Sequence, residues 1–220
     1  MERTADTVTP QAVCAIVGAV DHPLHKLLGE LAEGVPTTPN QPQGENAPRR
    51  LLLVCVDVRD PGNLGAVVRS AAGSGASGVV CVAGTVDPFN PKAVRASAGA
   101  VFQVPLARVA DAGEALSSLR AAGFRLLASV AEGGGDYSAA DWSGDVALLL
   151  GNEASGLDPG VVVAADELVT IPMAPGTASL NVAMSGTVLC FEAARRRRLS
   201  SRSSPPAARS ATSPAEPALP

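Results

Sequence analysis

Three short segments of this chain carry residues whose types and order are suited to binding a ligand. The first runs from Asp60 to Arg69 and contains two glycines, the amide of Asn63 and a guanidinium. The second follows an apolar run and spans residues 151–157, and the third spans 171–181. Each comes directly after a segment that we expect to be a strand, and ligands of α/β proteins bind where parallel strands end. The sequence therefore predicts one site built from three separated loops.

The helix expected after Asp60 presents a nearly bare face that ends in a cation. Gly62, Gly65 and Arg69 recur at helical spacing, and small residues let another backbone or a ribose phosphate approach closely. The forked guanidinium of Arg69 suits phosphate oxygens, and Asn63 offers an amide near the positive end of the helix. The alternative is structural: a glycine-rich helix packed on the sheet, with a solvated arginine.

The second and third segments add an acid, a hydroxyl group and another amide. Gly151 permits close contact with a flat ligand, and Glu153 is either an acid at the strand's carboxyl end or a solvated cap. Ser179 is predicted to cap the final helix, whose basic cluster Arg195–Arg198 either terminates the helix or contacts phosphate. Neither a dinucleotide fingerprint nor a phosphate loop is present.

Bulk composition predicts a globular protein without a strong electrostatic preference for nucleic acid. The chain has 220 residues, of which 46% are hydrophobic and 17% charged, and its net charge is −4. Its apolar runs are too short to cross a bilayer, and its N-terminus lacks the pattern of a signal peptide. We therefore expect a cytoplasmic protein without a membrane partner, whose RNA binding, if any, comes from local features.

Cysteine and histidine placement argues against a metal site. The four cysteines are Cys14, Cys55, Cys81 and Cys190. They show no close pairing, so we expect buried free thiols rather than a disulfide framework or a zinc site. The two histidines, His22 and His25, precede the main domain. We expect no metal, and a reaction that proceeds without imidazole.

Composition divides the chain into four parts. Residues 1–20 contain a short apolar run, and residues 21–48 are rich in Pro, Gly, Asn and Gln, which is typical of a linker. Residues 49–199 form the main domain. Residues 200–220 are mostly Ser, Pro, Ala and Arg, and we expect this tail to be disordered because it buries too little apolar area.

The main domain alternates apolar β-type runs with helical segments, which predicts an α/β fold with a mostly parallel sheet and helices on both faces. Strands are predicted at residues 51–56, 78–82, 101–105, 124–130, 146–150 and 168–171. Helices are predicted at residues 61–74, 91–98, 111–122 and 179–198. The helix at 61–74 has a capping residue in Asp60 and Pro61 at its first position.

Taken together and in this order, the three segments resemble the SpoU/TrmH branch of the SPOUT RNA methyltransferases. The matching motifs are Asn63-x-Gly65-x-x-x-Arg69, Gly151-Asn152-Glu153-x-x-Gly156-Leu157, and Ile171-Pro172-Met173 with Ser179-Leu180-Asn181-Val182. The run Arg95-Ala96-Ser97-Ala98-Gly99-Ala100 also resembles a segment common in this branch. The resemblance covers residues 49–199, and the ordered trio is far more specific than any single motif.

The resemblance implies transfer of the methyl group of S-adenosylmethionine to a ribose 2′-hydroxyl of RNA, with ribosomal RNA favoured over transfer RNA. It also implies that the fold ends in a C-terminal trefoil knot, an exception to the rarity of knots. The protein is then expected to be a homodimer whose active sites lie near the interface.

The resemblance further implies roles for individual residues. It places the cofactor against Ser129, Val130, Gly151, Ile171, Met173 and Leu180. It places in or near the catalytic site Asn63, Arg69, Glu153, Ser179 and Asn181. Because an arginine rarely loses its proton, we expect Arg69 to orient a phosphate and stabilise the developing alkoxide rather than to act as the base.

The N-terminal part resembles a fragment of another domain. Residues 6–13 are similar to the last stretch of the ribosomal-protein-L30-like (L30e-like) domain that often precedes this fold and grips RNA. Residues 1–20 are then either a remnant of that domain or the product of a misassigned start. A fragment of this size cannot form the domain's core, so we expect altered or reduced RNA selection.

Two other functions remain open at this stage. A catalytically weak RNA-binding or ribosome-assembly protein would keep the knotted fold without a full substrate-binding domain, and the acidic net charge favours it. A nucleotide-binding α/β protein of another kind is disfavoured because phosphate-loop signatures are missing. The residues retained at the motif positions favour the methyltransferase.

Overall fold

In the computed structural model, which describes residues 16–18, 20–34 and 50–203 (200–203 as backbone only), eight strands form one sheet. The strands are β1 (Asp21–His22), β2 (Leu51–Cys55), β3 (Gly78–Val82), β4 (Leu106–Val109), β5 (Arg125–Ser129), β6 (Gly135–Asp136), β7 (Val146–Leu150) and β8 (Glu167–Thr170). Their order across the sheet is β1-β4-β3-β2-β7-β5-β8-β6. Every neighbouring pair is parallel, which confirms the predicted sheet type.

Helices cover both faces of this sheet, as predicted. Those in the described residues are α1 (Leu24–Ala32), α2 (Pro61–Ser74), α3 (Pro91–Ala96), α4 (Ala112–Ala121), α5 (Pro159–Ala164) and α6 (Val182–Ser203). In β2, Leu51 and Leu53 face the core under α2 and α6, whereas Leu52 and Val54 face the core under α1, α4 and α5. Strands buried on both faces explain the continuous apolar runs of the sequence. Within this described part, no helix is long and apolar enough to cross a membrane.

Helix α2 forms where its local sequence predicts it. The Asp60 carboxylate accepts the backbone N–H of Asn63 at 2.8 Å, and Pro61 occupies the first helical turn. Gly75 ends the helix with a left-handed φ of 71°, which carries little steric cost for glycine. Residues 61–74 are therefore fixed by capping at both ends.

The strand predicted at residues 101–105 is wrong. Residues Ala100–Phe102 form a 3-10 turn instead, which starts after Gly99 at a φ of 85° and which the backbone N–H of Val104 closes onto Ala100. Val101 and Val104 are buried because this turn packs on the core under α2, not because they alternate along a strand. The next strand, β4, begins at Leu106.

The final helix begins later and ends later than the sequence indicates. Asn181, rather than Ser179, accepts the first backbone N–H groups, from Ala183 at 2.9 Å and Met184 at 3.3 Å. The helix continues to residue 203, so the basic cluster 195–198 lies inside it and does not terminate it. A contact of this cluster with phosphate stays a prediction.

The prediction of a linker from residue 21 onward was wrong for residues 21–34. Strand β1 pairs with β4, and α1 buries one side against the sheet through Leu24, Leu27, Leu28 and Leu31. Pro23 precedes the helix and Gly34 follows it, whereas Gly29 lies within it without ending it. The remaining linker residues 35–48, residues 1–15 of the L30-like segment and residues 204–220 of the tail lie outside the described residues.

Three of the four cysteines are free and buried, as expected: Cys55, Cys81 and Cys190. Burial raises the pKa of Cys81 to about 12 and that of Cys190 to about 11. These thiols therefore stay protonated and pack as small apolar groups. Cys14 lies outside the described residues.

Replacement of Leu27 by alanine tests whether α1 belongs to the main domain. Leu27 is fully buried against the sheet, so Leu27→Ala is expected to lower the free energy of unfolding by about 2–5 kcal/mol. Urea denaturation of the full chain measures this loss. The exposed neighbour His25 on the same helix provides the control His25→Ala. Equal stability of the two variants would contradict the assignment.

Candidate active site

The three predicted segments meet where the chain leaves the central strands in opposite directions. From β2 the chain passes through α2 to β3, toward the β1 edge of the sheet. From β7 it passes through α5 to β8, toward the β6 edge. Such a switch point opens a crevice at the carboxyl ends of parallel strands, where ligands bind. The first segment follows β2, the second follows β7, and the third follows β8 and returns to the same crevice.

A cleft of about 330 Å³ lies at this edge. All the residues predicted to hold the cofactor line it: Ser129, Val130, Gly151, Ile171, Met173 and Leu180. Two of the predicted catalytic residues, Glu153 and Ser179, line it as well. The structure thus brings together residues from the loops after β5, β7 and β8, which are up to 51 positions apart in the sequence, as Ser129 and Leu180 are. The first predicted segment contributes no residue to the lining of the cleft.

Sequence reasoning missed several residues of the cleft. They are Ala131, Leu150, Asn152, Ala154, Ser155, Gly156, Leu157, Val162, Val182 and Ser185. Asn152, Gly156, Leu157 and Val182 already stand in the motifs, and Leu150, Ala154 and Ser155 lie inside or next to one, so each motif could have been assigned to the site as a whole. Val162, on α5, reads as an ordinary core residue, and no sequence signal distinguishes it.

Gly151 is required by the loop that follows β7. A Cβ atom at this position would lie 2.4 Å from the carbonyl carbon of Gly156 and 2.5 Å from the nitrogen of Leu157. The loop folds back on itself, with an antiparallel bridge between Asn152 and Gly156. The close approach that we expected from a flat ligand is therefore made by the loop's own backbone, which shapes the wall of the cleft.

The carboxylate of Glu153 ties the loop after β7 to the start of α2. It accepts the backbone N–H groups of Arg59 at 3.2 Å and Asp60 at 3.0 Å. It also accepts the side-chain amide of Asn63 at 3.0 Å. One exposed side chain thus satisfies two backbone N–H groups in the turn before α2 and one side-chain amide on the helix.

The amide of Asn63 passes this connection on to the third segment. Its oxygen accepts the side-chain N–H of Asn181 at 2.9 Å. Asn181 in turn caps α6, as described above. The chain of contacts from Glu153 through Asn63 to Asn181 joins three of the five predicted catalytic residues and fixes the first two motifs against the third.

Hydrogen bonding keeps Glu153 ionised. Partial burial raises the pKa of its carboxyl, but the amide of Asn63 and the backbone N–H groups of Asp60, Glu153 and Arg59 together hold the pKa below its ordinary value. A general base works best with a pKa near the operating pH. Glu153 is therefore suited to holding its partners in place as an anion, not to taking a proton.

Arg69 stands apart from this network. It lies on α2, six residues after Asn63, which corresponds to about 9 Å along the helix axis. Its side chain is exposed and makes no hydrogen bond or ion pair with any residue that the structure describes. The guanidinium is free to meet a ligand that lies across the outer face of α2.

A second connection, which the sequence did not reveal, involves Asp57. The side-chain amide of Asn152 donates to the carbonyl of Asp57 at 2.9 Å and to its carboxylate at 3.1 Å. The carboxylate also accepts Arg59 Nε at 2.9 Å. Asp57 has a φ of 58°, a left-handed conformation that aspartate tolerates better than most residues. The loops after β2 and β7 are therefore held together at two points.

The structural alternative is correct for Gly65. A Cβ atom there would lie 2.5 Å from the carbonyl oxygen of Ala93 and 2.9 Å from the nitrogen of Ser97. The bare face of α2 is thus occupied by α3 and not by a ligand. A Cβ atom on Gly62 would lie 2.8 Å from an oxygen of the Asp60 carboxylate.

Among the residues that the structure describes, no group of three or more histidine, cysteine or acidic side chains could hold a metal ion. The chemistry available at the cleft comes from amides, one ionised carboxylate and hydroxyl groups, and the exposed Arg69 lies outside its lining. These groups suit the positioning of a ligand and the stabilisation of charge.

The chain is similar in sequence to known proteins. The family model described as the SpoU rRNA Methylase family matches residues 50–191. The chain is 37% identical over 142 residues to the 23S rRNA (uridine(2479)-2'-O)-methyltransferase of Streptomyces viridochromogenes, covering 62% of this chain and 50% of that protein. It is 32% identical over 152 residues to the 23S rRNA (guanosine(2553)-2'-O)-methyltransferase RlmP of Bacillus subtilis (strain 168), covering 69% and 61%. The chain spans about half the length of the curated relatives it matches.

Solved structures agree with the sequence comparison. An AdoMet-bound rRNA methyltransferase from Sinorhizobium meliloti superposes with a TM-score of 0.64 at 38% identity, over 73% of this chain and 60% of the other. The SpoU methyltransferase AviRb from Streptomyces viridochromogenes, in complex with the cofactor AdoMet, gives a TM-score of 0.64 at 34% identity, over 72% and 60%. The similarity therefore lies in the part of the chain that builds the cleft.

The lowered pKa of Glu153 predicts a specific pH dependence. A carboxyl whose pKa is lower in the folded state stabilises the fold above its unfolded pKa and loses that contribution as the pH falls through the folded value. The stability difference between the native chain and Glu153→Gln is therefore expected to be largest at neutral pH. It should shrink as the pH falls below 4.5, the ordinary value for glutamate.

Urea denaturation at several pH values measures this difference. Glu114→Gln, which alters an exposed carboxylate on α4 outside the cleft, is the matched control. A difference between the native chain and Glu153→Gln that stays constant from neutral to acid pH would contradict the role given to the carboxylate.

Proposed function

Because this chain belongs to the SpoU rRNA Methylase family, we propose that it transfers a methyl group from S-adenosylmethionine to a ribose 2′-hydroxyl of ribosomal RNA. The observation that carries the proposal is the meeting of all six expected cofactor residues in one cleft, beside the Glu153–Asn63–Asn181 chain of contacts. The names of two relatives, both 23S rRNA 2'-O-methyltransferases, favour ribosomal over transfer RNA. A cytoplasmic location follows from that choice of substrate.

The cleft fits the cofactor in size and in chemistry. Its volume of about 330 Å³ falls at the lower end of the range for small-molecule sites, ≈ 300–1,000 Å³. Apolar side chains such as Leu150, Ile171 and Leu180 suit the faces of an adenine ring, and the loop backbone at 151–157 offers N–H and C=O groups for its polar atoms. When bound there, S-adenosylmethionine supplies an electrophilic methyl group. No metal is part of the proposal.

The chain's own residues would position the ribose and stabilise its developing charge. Asn63 and Asn181 fix the start of α6, which holds Ser179 and Leu180 at the rim of the cleft. Arg69 binds a phosphate of the RNA and stabilises negative charge at the attacking 2′-oxygen. Because the pKa of Glu153 is lowered, its part is to hold Asn63 in place. Positioning therefore accounts for most of the rate.

The proposal includes the knotted path that is expected for the family. After β8 the chain returns to the cleft at Ser179 and then packs α6 against α2 and the end of β7. Gly186 allows this packing, since a Cβ there would lie 2.8 Å from the Leu150 side chain. The tight passage of α6 beside the loop after β7 supports a C-terminal trefoil knot.

We also propose that the protein acts as a homodimer. Met184 and Phe191 are seven residues apart on α6 and therefore share one face, yet 59% and 42% of their surface is exposed. This apolar face begins three residues after Asn181, at the edge of the site. Covering it with a second copy would shield it from water and bring the two sites close to the interface.

Ribose-methylation mapping by mass spectrometry tests the proposed activity. The full chain, incubated with S-adenosylmethionine and deproteinised 23S ribosomal RNA, is expected to add a 2′-O-methyl group at a defined nucleotide. Arg69→Ala should lower the rate by about 10²–10³-fold, the usual cost of removing one charge-stabilising group. Calorimetry should show unchanged cofactor affinity. Cofactor binding without any methylation would favour the alternative, a catalytically weak RNA-binding or ribosome-assembly protein.

The pH dependence of the rate tests the role of Arg69. If it stabilises charge, Arg69→Lys keeps part of the activity and the same pH–rate profile as the native chain. A group that titrates near neutrality in the native chain and vanishes in Arg69→Lys would instead identify Arg69 as the base and overturn the assignment.

The Gly151→Ala variant tests whether the folded-back loop forms the cofactor site. The added methyl group would meet the backbone at Gly156 and Leu157, so the loop must shift. We expect the affinity for S-adenosylmethionine, measured by calorimetry, to fall by at least about tenfold, or roughly 1.4 kcal/mol. Gly29→Ala, on α1 where a Cβ meets nothing within 4 Å, is the control. Equal cofactor affinities of the two variants would place the cofactor elsewhere.

A further inference from the structure

Residues 61–110 carry an excess of positive charge, although the chain as a whole is acidic. Residues 61–110 contain four cations, Arg69, Lys92, Arg95 and Arg108, and a single acid, Asp87, whereas the whole chain has a net charge of −4. This stretch contains α2, which carries Asn63 and Arg69, and α3, which follows β3. Bulk charge therefore hides a local cationic region.

Three of these cations lie on two helices that are locked together. Gly65 of α2 touches the backbone of α3 at Ala93 and Ser97, with no room for a side chain between them. On α3, the methyl group of Ala96 also faces this contact, 2.5 Å from where a Cβ of Gly65 would lie, while Lys92 and Arg95 are exposed. Arg69 follows Gly65 by one helical turn and is also exposed. The α2–α3 surface, defined by Arg69, Lys92 and Arg95, is thus a rigid cationic face.

The cations of the α2–α3 surface are largely available. Arg95 makes no hydrogen bond or ion pair with any residue in the described ranges, and the same holds for Arg69. Lys92 reaches the Asp60 carboxylate at 3.2 Å, but its side chain stays 60% exposed. Such exposed pairs contribute little and exchange readily for a stronger anion. Arg108 differs, because it pairs with Asp21 at 2.6 Å at the far side of β4.

The surface is connected directly to the site. Lys92 binds one oxygen of Asp60, and the other oxygen caps α2 at Asn63. Asn63 is the middle member of the chain of contacts to Asn181. An anion bound at Lys92 therefore lies next to Asp60 and Asn63, which connect the three segments of the site. An anion bound at Arg95 lies further along α3.

We propose that the α2–α3 surface is a docking face for the RNA backbone, with Lys92 and Arg95 as phosphate contacts that lead to Arg69. This inference rests on the proposed function, since it supplies the path by which RNA reaches the site. Phosphates fit this surface because three exposed cations lie on two packed helices, with small side chains such as Ala96 and Ala98 beside them. Consecutive phosphates on one strand match a row of separate cations.

The salt dependence of RNA binding tests the proposal. The probe is deproteinised 23S ribosomal RNA, and the dissociation constant of the full chain is measured at several salt concentrations. The binding constant K falls as salt rises, so the slope of log K against log[salt] is negative, and a lower slope means one of smaller magnitude. Each lost phosphate contact should reduce the magnitude of this slope by about 0.7–0.9. Arg95→Gln should therefore lower the slope by one such step and weaken binding by about three- to tenfold at low salt. Lys92→Gln/Arg95→Gln should lower the slope by two steps.

Two controls separate charge from folding. Arg95→Lys retains the charge and should restore most of the slope. Lys26→Gln removes an exposed cation from α1, on the opposite face of the sheet, and should leave the slope unchanged. Cofactor affinity, measured by calorimetry, should be the same in all variants.

The outcomes distinguish this inference from the proposed activity. A slope that is unchanged in Lys92→Gln/Arg95→Gln, or lowered equally by Lys26→Gln, overturns the docking face even if the protein methylates RNA. A lowered slope in a protein that methylates no RNA supports the docking face and refutes the proposed activity. Absence of RNA binding by the native chain overturns the docking face as well.

Discussion

The arrangement of the site depends on one ionised carboxylate. Glu153 accepts two backbone N–H groups from the turn before α2 and one side-chain amide from α2 itself. Each partner alone is an ordinary hydrogen bond at an exposed position. Together they hold two loops from adjacent central strands in one geometry, and through Asn63 they reach the start of α6. Neutralising or shortening this side chain removes the support of Asn63 and leaves the Asn152–Asp57 contact as the second connection between the two loops.

Much of the fold could be predicted because buried parallel strands and capped helices leave strong local signals. The apolar runs at β2, β3 and β7 and the Asp60-Pro61 cap of α2 all lie where the sequence indicates. The misses occurred where a tertiary contact overrides a local pattern. Val101 and Val104 are buried by a 3-10 turn instead of a strand. The leucines of α1 were missed because the composition of residues 21–48 as a whole is rich in Pro and Gly. Short elements such as β6 and α5 carry too few residues to show a period.

The cleft could be predicted in its membership but not in its connections. The motifs contain many of the residues that line it, whereas the contacts of Glu153 with residues about ninety positions earlier could not be read from spacing. The glycines show the same limit. Gly65 and Gly151 each suggested an approaching ligand, and in both cases the approaching atoms belong to this chain. Small residues report close packing without saying what packs.

The long separations within the site have a kinetic consequence. Asn63 is joined to partners 90 and 118 residues further along the chain, and each of the central strand pairs is parallel. Contacts of this kind form late, because the closure of long loops must precede the interactions that compensate for it. During synthesis, a nascent chain that ends before α6 has the first motif but lacks the third. The complete site therefore forms only after α6 has been synthesised and has packed against the sheet. A chain that is still being synthesised lacks it.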